Sequence, residues 1–132
     1  MCENKFYICE KCGNIVGLIE RGGGQLVCCG QKMKALVVGA IDASREKHVP
    51  EVTIDEGKVK VTVGSVTHPM TKEHHISWVY LETDRGGQRK CLKPGEEPVV
   101  EFALGDELPV AVYAYCNLHG LWKTDEFSYT IY

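Results

Sequence analysis

Beyond residue 50 the chain alternates: Val59, Val61 and Val63 are separated by Lys60 and Thr62 and preceded by Lys58, the period of two expected of a strand with one buried face. The turn Asp55-Glu56-Gly57 makes this run the second arm of a hairpin whose first arm is Val52 to Ile54. Further strands are predicted at Ile76 to Leu81, Val99 to Leu104, Val110 to Tyr115 and Phe127 to Ile131. They are separated by Asp84-Arg85-Gly86-Gly87, Lys93-Pro94-Gly95 and Gly105-Asp106. No amphipathic helix interrupts them. Short strands with Gly and Pro turns at roughly 8–12-residue intervals predict an antiparallel sandwich of the immunoglobulin-like kind.

The first part of the chain follows a different pattern. Two short β-like runs, Asn14 to Glu20 and Gln25 to Val27, are joined by Arg21-Gly22-Gly23-Gly24, a loop free to take positive φ. This segment is too short to bury a core, and below about 40 residues a fold usually needs a metal, a disulfide or a partner. The expected division is therefore a small metal-nucleated domain at residues 1–37 and an all-β sandwich domain at 38–132. No internal repeat or low-complexity tract appears.

Composition narrows the class. Hydrophobic residues at 44% and charged residues at 25% are ordinary for a soluble globular protein, and no apolar run approaches the length that spans a bilayer. Met1-Cys2-Glu3-Asn4-Lys5 lacks the pattern of a secretory signal, so a reducing cytoplasmic setting is expected. A net charge of −3 without any block of Lys and Arg argues against nucleic-acid binding and leaves a small anion or another protein as partner.

Seven cysteines and five histidines in 132 residues is an unusual density, and their spacing sorts most of them into two groups. Cys9-Glu10-Lys11-Cys12 and the adjacent pair Cys28-Cys29 supply four thiolates, a sulfur shell suited to tetrahedral zinc or iron. Successive side chains on an extended backbone point to opposite sides, so Cys28 and Cys29 can share one ion only if the chain bends there. Gly30 supplies the freedom for that bend. Sulfur count alone leaves a structural zinc and a single iron both open.

The second group is spread across loops and strand ends. His48 lies in Glu46-Lys47-His48-Val49-Pro50, His68 in His68-Pro69-Met70, His74 six residues later, and Cys116-Asn117-Leu118-His119 ends the strand Val110 to Tyr115. Pro50 and Pro69 restrict the backbone close to their histidines, which suits loops that hold an imidazole in a fixed direction. Four imidazoles and one thiolate form a set that zinc rarely adopts and that suits a redox iron with one open position. Cys2, Cys91 and His75 fit neither group. Cys91 is expected to be a small buried side chain in a strand, Cys2 to lie near a mobile terminus, and His75 to point away if His74 faces the ion. Trp78, Trp122, Tyr80, Tyr113 and Tyr115 are expected in the sandwich core or a dimer contact.

The stretches Glu46 to Pro50, His68-Pro69-Met70 with His74, and Cys116-Asn117-Leu118-His119-Gly120-Leu121-Trp122-Lys123 resemble the superoxide reductase signature. The local pattern of Cys9, Cys12, Cys28 and Cys29 resembles desulforedoxin, and nearly the whole chain resembles desulfoferrodoxin, the two-iron class. The resemblance implies two non-haem irons per chain. One is bound by Cys9, Cys12, Cys28 and Cys29; the other has His48, His68, His74 and His119 around it and Cys116 as axial thiolate. It also implies that Glu46 and Lys47 serve catalysis, Lys47 steering superoxide and Glu46 binding the oxidised iron once product leaves. The implied activity is one-electron reduction of superoxide to hydrogen peroxide, without release of oxygen. Rubredoxin or a similar protein is the implied electron donor, and the implied assembly is a homodimer. Two other functions fit the same residues: a small electron carrier, and a binding module with two structural zinc ions.

Overall fold

The computed structural model describes residues 5–130, and Cys2 lies outside them. The chain divides into two compact units, residues 1–37 and 38–132.

The described residues of the first unit form five short strands: β1 (Phe6–Ile8), β2 (Ile15–Gly17), β3 (Val27–Cys28), β4 (Gln31–Lys32) and β5 (Lys34–Ala35). β1 is central, pairing antiparallel with β2 and β5, while β3 and β4 form a separate hairpin. Among the described residues, its buried hydrophobic ones are Phe6, Cys9 and Met33. Ile19, Val16 and Val27 stay exposed, so apolar burial alone contributes little to holding this unit. The expected strands at Asn14 to Glu20 and Gln25 to Val27 are shorter in the structure, and β1, β4 and β5 carry no periodic pattern long enough to announce them.

The second unit opens with one helical turn, α1 (Arg45–His48), followed by β6 (Pro50–Asp55), β7 (Lys58–Val63), β8 (Ile76–Thr83), β9 (Gly86–Cys91), β10 (Val99–Ala103), β11 (Pro109–Cys116), β12 (Gly120–Thr124) and β13 (Ser128–Tyr129). Two four-stranded sheets, in the orders β10-β7-β6-β13 and β12-β11-β8-β9, face each other as a sandwich. One sheet turns Val52, Ile54, Val59, Val61, Val63, Val100 and Phe102 inward, and the other Ile76, Val79, Leu81, Val112, Ala114 and Cys116. This is the all-β sandwich that the alternation at residues 58–63 predicts, with the hairpin β6–β7 in register from Pro50↔Val63 to Asp55↔Lys58.

Three details differ from the sequence expectation. β13 runs parallel to β6, so the sandwich is not wholly antiparallel. β9 and β12 were hidden: Gly86 and Gly87 read as a turn, and Gly120 to Thr124 lacks a long alternating run. Cys91 is exposed rather than buried, because it lies on β9 at the edge of its sheet, and the Arg89 guanidinium donates to its Sγ at 2.7 Å.

The register of β8 against β11 slips between Tyr115↔Trp78 and Cys116↔Ile76, leaving Ser77 as an extra residue. Without that bulge, Ile76 would fall on the same face as Trp78 and Tyr80; with it, Ile76 turns into the core opposite Cys116. The slip sits at the end of the sheet where the histidine-bearing loops converge.

Candidate metal centres

In the first unit, the segment after β1 doubles back on itself. The Cys9 N–H donates to the Asn14 carbonyl at 2.8 Å and the Gly13 N–H to the Cys9 carbonyl at 2.8 Å, with Gly13 at φ 84°. The tight turn aims main-chain N–H groups of Cys12 and Lys11 at the Cys9 sulfur, and those of Cys12 dominate in lowering its thiol pKa to about 6. Opposite, Cys29 and Gly30 form the two-residue loop of the β3–β4 hairpin, with φ 54° and 74°. Positive φ at both central residues is the type I′ pattern that suits the twist of a hairpin. This is the bend that adjacent cysteines require, and it turns both sulfurs to the same side.

The sulfurs are spaced as a metal would need. Cys12 and Cys28 Sγ are 3.7 Å apart, Cys28 and Cys29 Sγ 3.9 Å, and all four Sγ atoms lie within 4.8 Å of one another. Four sulfurs about 2.3 Å from a tetrahedral ion would stand about 3.8 Å apart. Neighbouring sulfurs push the Cys29 thiol up to about 12, Cys12 contributing most, and raise Cys28, Cys9 contributing most. Four thiolates this close need a cation among them. Asn14, which the sequence did not single out, donates its main-chain N–H to Cys12 Sγ at 3.4 Å and its side-chain amide to Cys28 Sγ at 3.7 Å.

In the second unit, α1 carries Glu46 and Lys47 to the surface and ends at His48, which is buried. The turn stops because Val49 precedes Pro50 and is driven to extended backbone, ψ 123°. The β7–β8 loop supplies His68 and His74, and the end of β11 with the following turn supplies Cys116 and His119. Four imidazoles gather in a ring. Neighbouring centroids are 4.6 Å apart for His48–His68, 4.7 Å for His68–His74, 5.0 Å for His74–His119 and 5.0 Å for His119–His48. Interplanar angles along these sides run from 76° to 86°, while His48 and His74 face each other across 6.3 Å at 31°. The arrangement is close to a square, His48–His74 being one diagonal.

Hydrogen bonds settle which nitrogens face inward. His48 Nδ1 lies 2.6 Å from the Ser44 carbonyl and His68 Nδ1 2.7 Å from the Pro69 carbonyl. A carbonyl only accepts, so both Nδ1 atoms carry the proton and both Nε2 atoms present a lone pair. Those two lone pairs meet at 3.1 Å, and His48 Nε2 is also 3.1 Å from His119 Nδ1. Nitrogens about 2.1 Å from one ion at right angles would lie about 3.0 Å apart. His74 Nε2 is buried with no hydrogen-bond partner. Burial favours the neutral form of three of the rings, lowering His48 and His74 and taking His68 down to about 4, with the Lys47 charge adding a smaller push on His48 and His74. Converging lone pairs, an orphaned buried nitrogen and depressed basicity together fit a metal ion.

Cys116 Sγ is 3.9 Å from His119 Nδ1 and fully buried, and burial raises its thiol above the ordinary range against the N–H groups of Leu118 and His119. The sulfur lies with His48, His68 and His74 in one group of donors within 4.8 Å. Trp122 stacks on His48 at 5.0 Å and donates its Nε1–H to the His119 carbonyl at 3.0 Å, so it walls the centre instead of only filling the core. His75 stays outside, its Nδ1 3.1 Å from the Thr71 carbonyl.

The Glu46 carbonyl accepts from the Val66 N–H at 2.9 Å and Ser65 Oγ at 3.2 Å. Beneath it Gly64 is packed so closely that a Cβ there would stand 2.5 Å from the Glu46 oxygen. Sequence reading missed this anchor, because Gly64 resembles any loop glycine until the loop it supports is known. Trp78 and Tyr115 stack at 5.5 Å, and Tyr80 and Tyr113 lie at 6.1 Å, side by side on the sheet.

Comparison with known proteins places this pair of centres. The family model Desulfoferrodoxin matches residues 40–125, and Desulfoferrodoxin, N-terminal domain, matches residues 2–36. The chain belongs to the desulfoferrodoxin family. It is 49% identical over 118 residues to a desulfoferrodoxin homolog of Archaeoglobus fulgidus, covering 89% of this chain and 94% of that protein. To the desulfoferrodoxin of Nitratidesulfovibrio vulgaris it is 47% identical over 121 residues, covering 92% and 95%. The crystal structure of the superoxide reductase from Treponema pallidum superposes with a TM-score of 0.78 at 40% identity, covering 93% of this chain and 99% of that one. Desulfoferrodoxin membership and the two donor sets together are consistent with two iron centres.

Proposed function

We propose that this desulfoferrodoxin is a superoxide reductase whose reaction takes place at the centre formed by His48, His68, His74, His119 and Cys116. The observation that carries the reading is the square of imidazoles, with lone pairs of His48 and His68 fixed inward by backbone carbonyls and a buried sulfur beside them. Similarity to the superoxide reductase from Treponema pallidum supports the same reading. A ferrous ion at this centre would be held by these five donors and would supply the one electron that reduction of superoxide needs.

The chain's own groups do the rest. Superoxide plus one electron and two protons gives hydrogen peroxide, so the site must attract an anion and admit protons. Lys47, exposed on α1, presents an ammonium that raises the local concentration of the anion and can orient water as proton source. Burial holds His48, His68 and His74 in the neutral form, so these three rings add no positive charge that would hold an anionic product. Glu46, also exposed on α1, would offer its carboxylate to the oxidised ion between turnovers. Residues 1–37 form a desulforedoxin-like iron domain, held by Cys9, Cys12, Cys28 and Cys29, that can store an electron. The donor is rubredoxin or a similar small protein, and the working form is a cytoplasmic homodimer. Among the described residues, no helix is long and apolar enough to cross a membrane.

The test is the hydrogen peroxide formed per superoxide consumed by the pre-reduced protein, with the iron followed optically. One peroxide per superoxide, with iron oxidised in step, is expected. Half that yield with oxygen released and no net iron oxidation would mean dismutation, and no acceleration would leave an electron carrier. Glu46→Ala should leave the first encounter with superoxide unchanged and alter the spectrum of the oxidised protein; an unaltered spectrum would remove Glu46 from its place.

A further inference from the structure

The four imidazoles are not held in the same way. His48 and His68 each donate Nδ1–H to a carbonyl, which fixes the ring directly. His74, whose Nε2 is the orphaned donor, has no such carbonyl; its main chain is held instead. On one side, Thr71 Oγ1 accepts the His74 N–H at 3.1 Å and donates to the His74 carbonyl at 3.2 Å. On the other side stands Asn117. Its side-chain Nδ2 donates to the Glu73 carbonyl at 2.9 Å, and its Oδ1 accepts the His75 N–H at 2.8 Å. The Asn117 main-chain N–H donates to the His75 carbonyl at 3.1 Å.

One amide thus grips the residues immediately before and after His74, and it does so from the residue that follows Cys116. We propose that Asn117 is the positioning residue of the five-donor centre: its amide clamps the His74 segment to the Cys116–His119 turn and so sets the placement of His74 Nε2 relative to Cys116 Sγ. Asn117 is exposed and contributes nothing to the apolar core, so its role is confined to this clamp. Only an amide can fill it, because the clamp needs a donor toward Glu73 and an acceptor toward His75 from one planar group. An aspartate keeps the acceptor and sets a carboxylate against a carbonyl. The inference rests on the reading of this centre as an iron site.

The experiment uses the full chain loaded with iron, as Asn117→Ala, Asn117→Ser and Asn117→Asp beside the parent. Iron release to excess EDTA is timed without oxygen, and the electron paramagnetic resonance of the oxidised centre is recorded. Partners that orient metal ligands typically set affinity by about 10–100-fold, so release about 10–100-fold faster and an altered resonance are expected in all three variants. The optical bands of the four-cysteine iron in the same molecule serve as an internal reference and should not move. Release rates and resonances equal to the parent's would overturn the clamp. If the centre takes zinc instead of iron, the same competition is run with zinc: faster zinc loss would retain the role of Asn117 while ending the iron reading, and unchanged zinc loss would end both.

Discussion

The two centres invert the relation between metal and fold. In the first unit, Cys12 and Cys29 are exposed, and Phe6, Cys9 and Met33 are the buried hydrophobic residues. In the second, Cys116 and His68 sit at the end of a core in which Val59, Val61, Val63, Ile76, Val79, Leu81 and Val112 are fully buried. The difference teaches that a sulfur cage can stand in for a core, whereas a square of imidazoles with a buried thiol demands one. The first ion holds its protein; the second is held by it.

Metal removal separates the two most sharply. Structural metal in small domains contributes roughly 10–16 kcal/mol to folding, more than such a unit could supply from apolar burial. Chelation, or Cys28→Ser together with Cys29→Ser, should unfold residues 1–37 and expose the Arg21-Gly22-Gly23-Gly24 loop to protease, while the sandwich keeps its cooperative melt. Amide exchange measured on both units decides this: a first unit still protected without metal would break the comparison.

Acid should act in the opposite sense, on the sandwich of the metal-free chain. Unfolded His68 takes up its proton near pH 6.5, but folded His68 does so only near pH 4, because burial disfavours the charged ring. Between those values the unfolded state binds more protons, so stability falls as pH falls. The loss from this group is at most about 3 kcal/mol, levelling off only below about pH 4. Denaturant midpoints of the chelated protein at pH 7 and pH 4.5 measure it. His68→Gln should flatten the dependence; a slope unchanged in that variant would assign the effect elsewhere.

How much of this was legible beforehand follows from the physics of each region. Alternation at Lys58 to Val63 revealed a half-buried strand, and so the sandwich, because burial on one face leaves a period of two in the sequence. The ligand types were legible because few other roles bring so many thiols and imidazoles together. Gly120 to Thr124 and Gly86 to Cys91 were not, since their pairing is dictated by neighbouring strands more than by local propensity. Gly64 and Asn117 were invisible for a related reason. Each acts on a segment far away in sequence, Gly64 beneath Glu46 and Asn117 beside His74, and such contacts leave no spacing to read. The adjacency of Cys28 and Cys29 did demand a bend, which the left-handed Cys29 supplies.

At the substrate face, Gly64→Ala and Lys47→Ala test whether α1 is a placed charge or a solvated one. A Cβ at Gly64 would stand 2.5 Å from the Glu46 oxygen, so the turn must shift, costing about 1–3 kcal/mol of stability. Lys47→Ala leaves the fold alone and should slow superoxide capture about 10-fold, with a weaker dependence on salt, as loss of steering implies. Pulse radiolysis of both variants reads the rate. Identical kinetics in Lys47→Ala would leave Lys47 as an ordinary surface charge.

The smallest effect sharpens the contrast from the cysteine side. At the sandwich centre two of the donors, His48 and His68, are oriented by carbonyls acting through imidazole Nδ1–H, whereas at the four-cysteine centre N–H groups of Lys11, Cys12 and Asn14 point at the sulfurs themselves. Hydrogen bonds to sulfur draw charge from the thiolate and so favour the reduced metal, which makes them a lever on potential and not on geometry. Among the described residues, the Asn14 amide on Cys28 is the one such contact that a substitution can remove, since the others come from main chain. Asn14→Leu excludes water from the same space and donates nothing, so the reduction potential of the four-cysteine iron should fall and its sulfur-to-iron band move to longer wavelength, with the folded content of the unit retained. An optical redox titration of the full chain reads both. If the potential and the band stay where they were, charge at Cys28 is set by main-chain donors and solvent alone, and the exposed cage is less finely adjusted than the buried square.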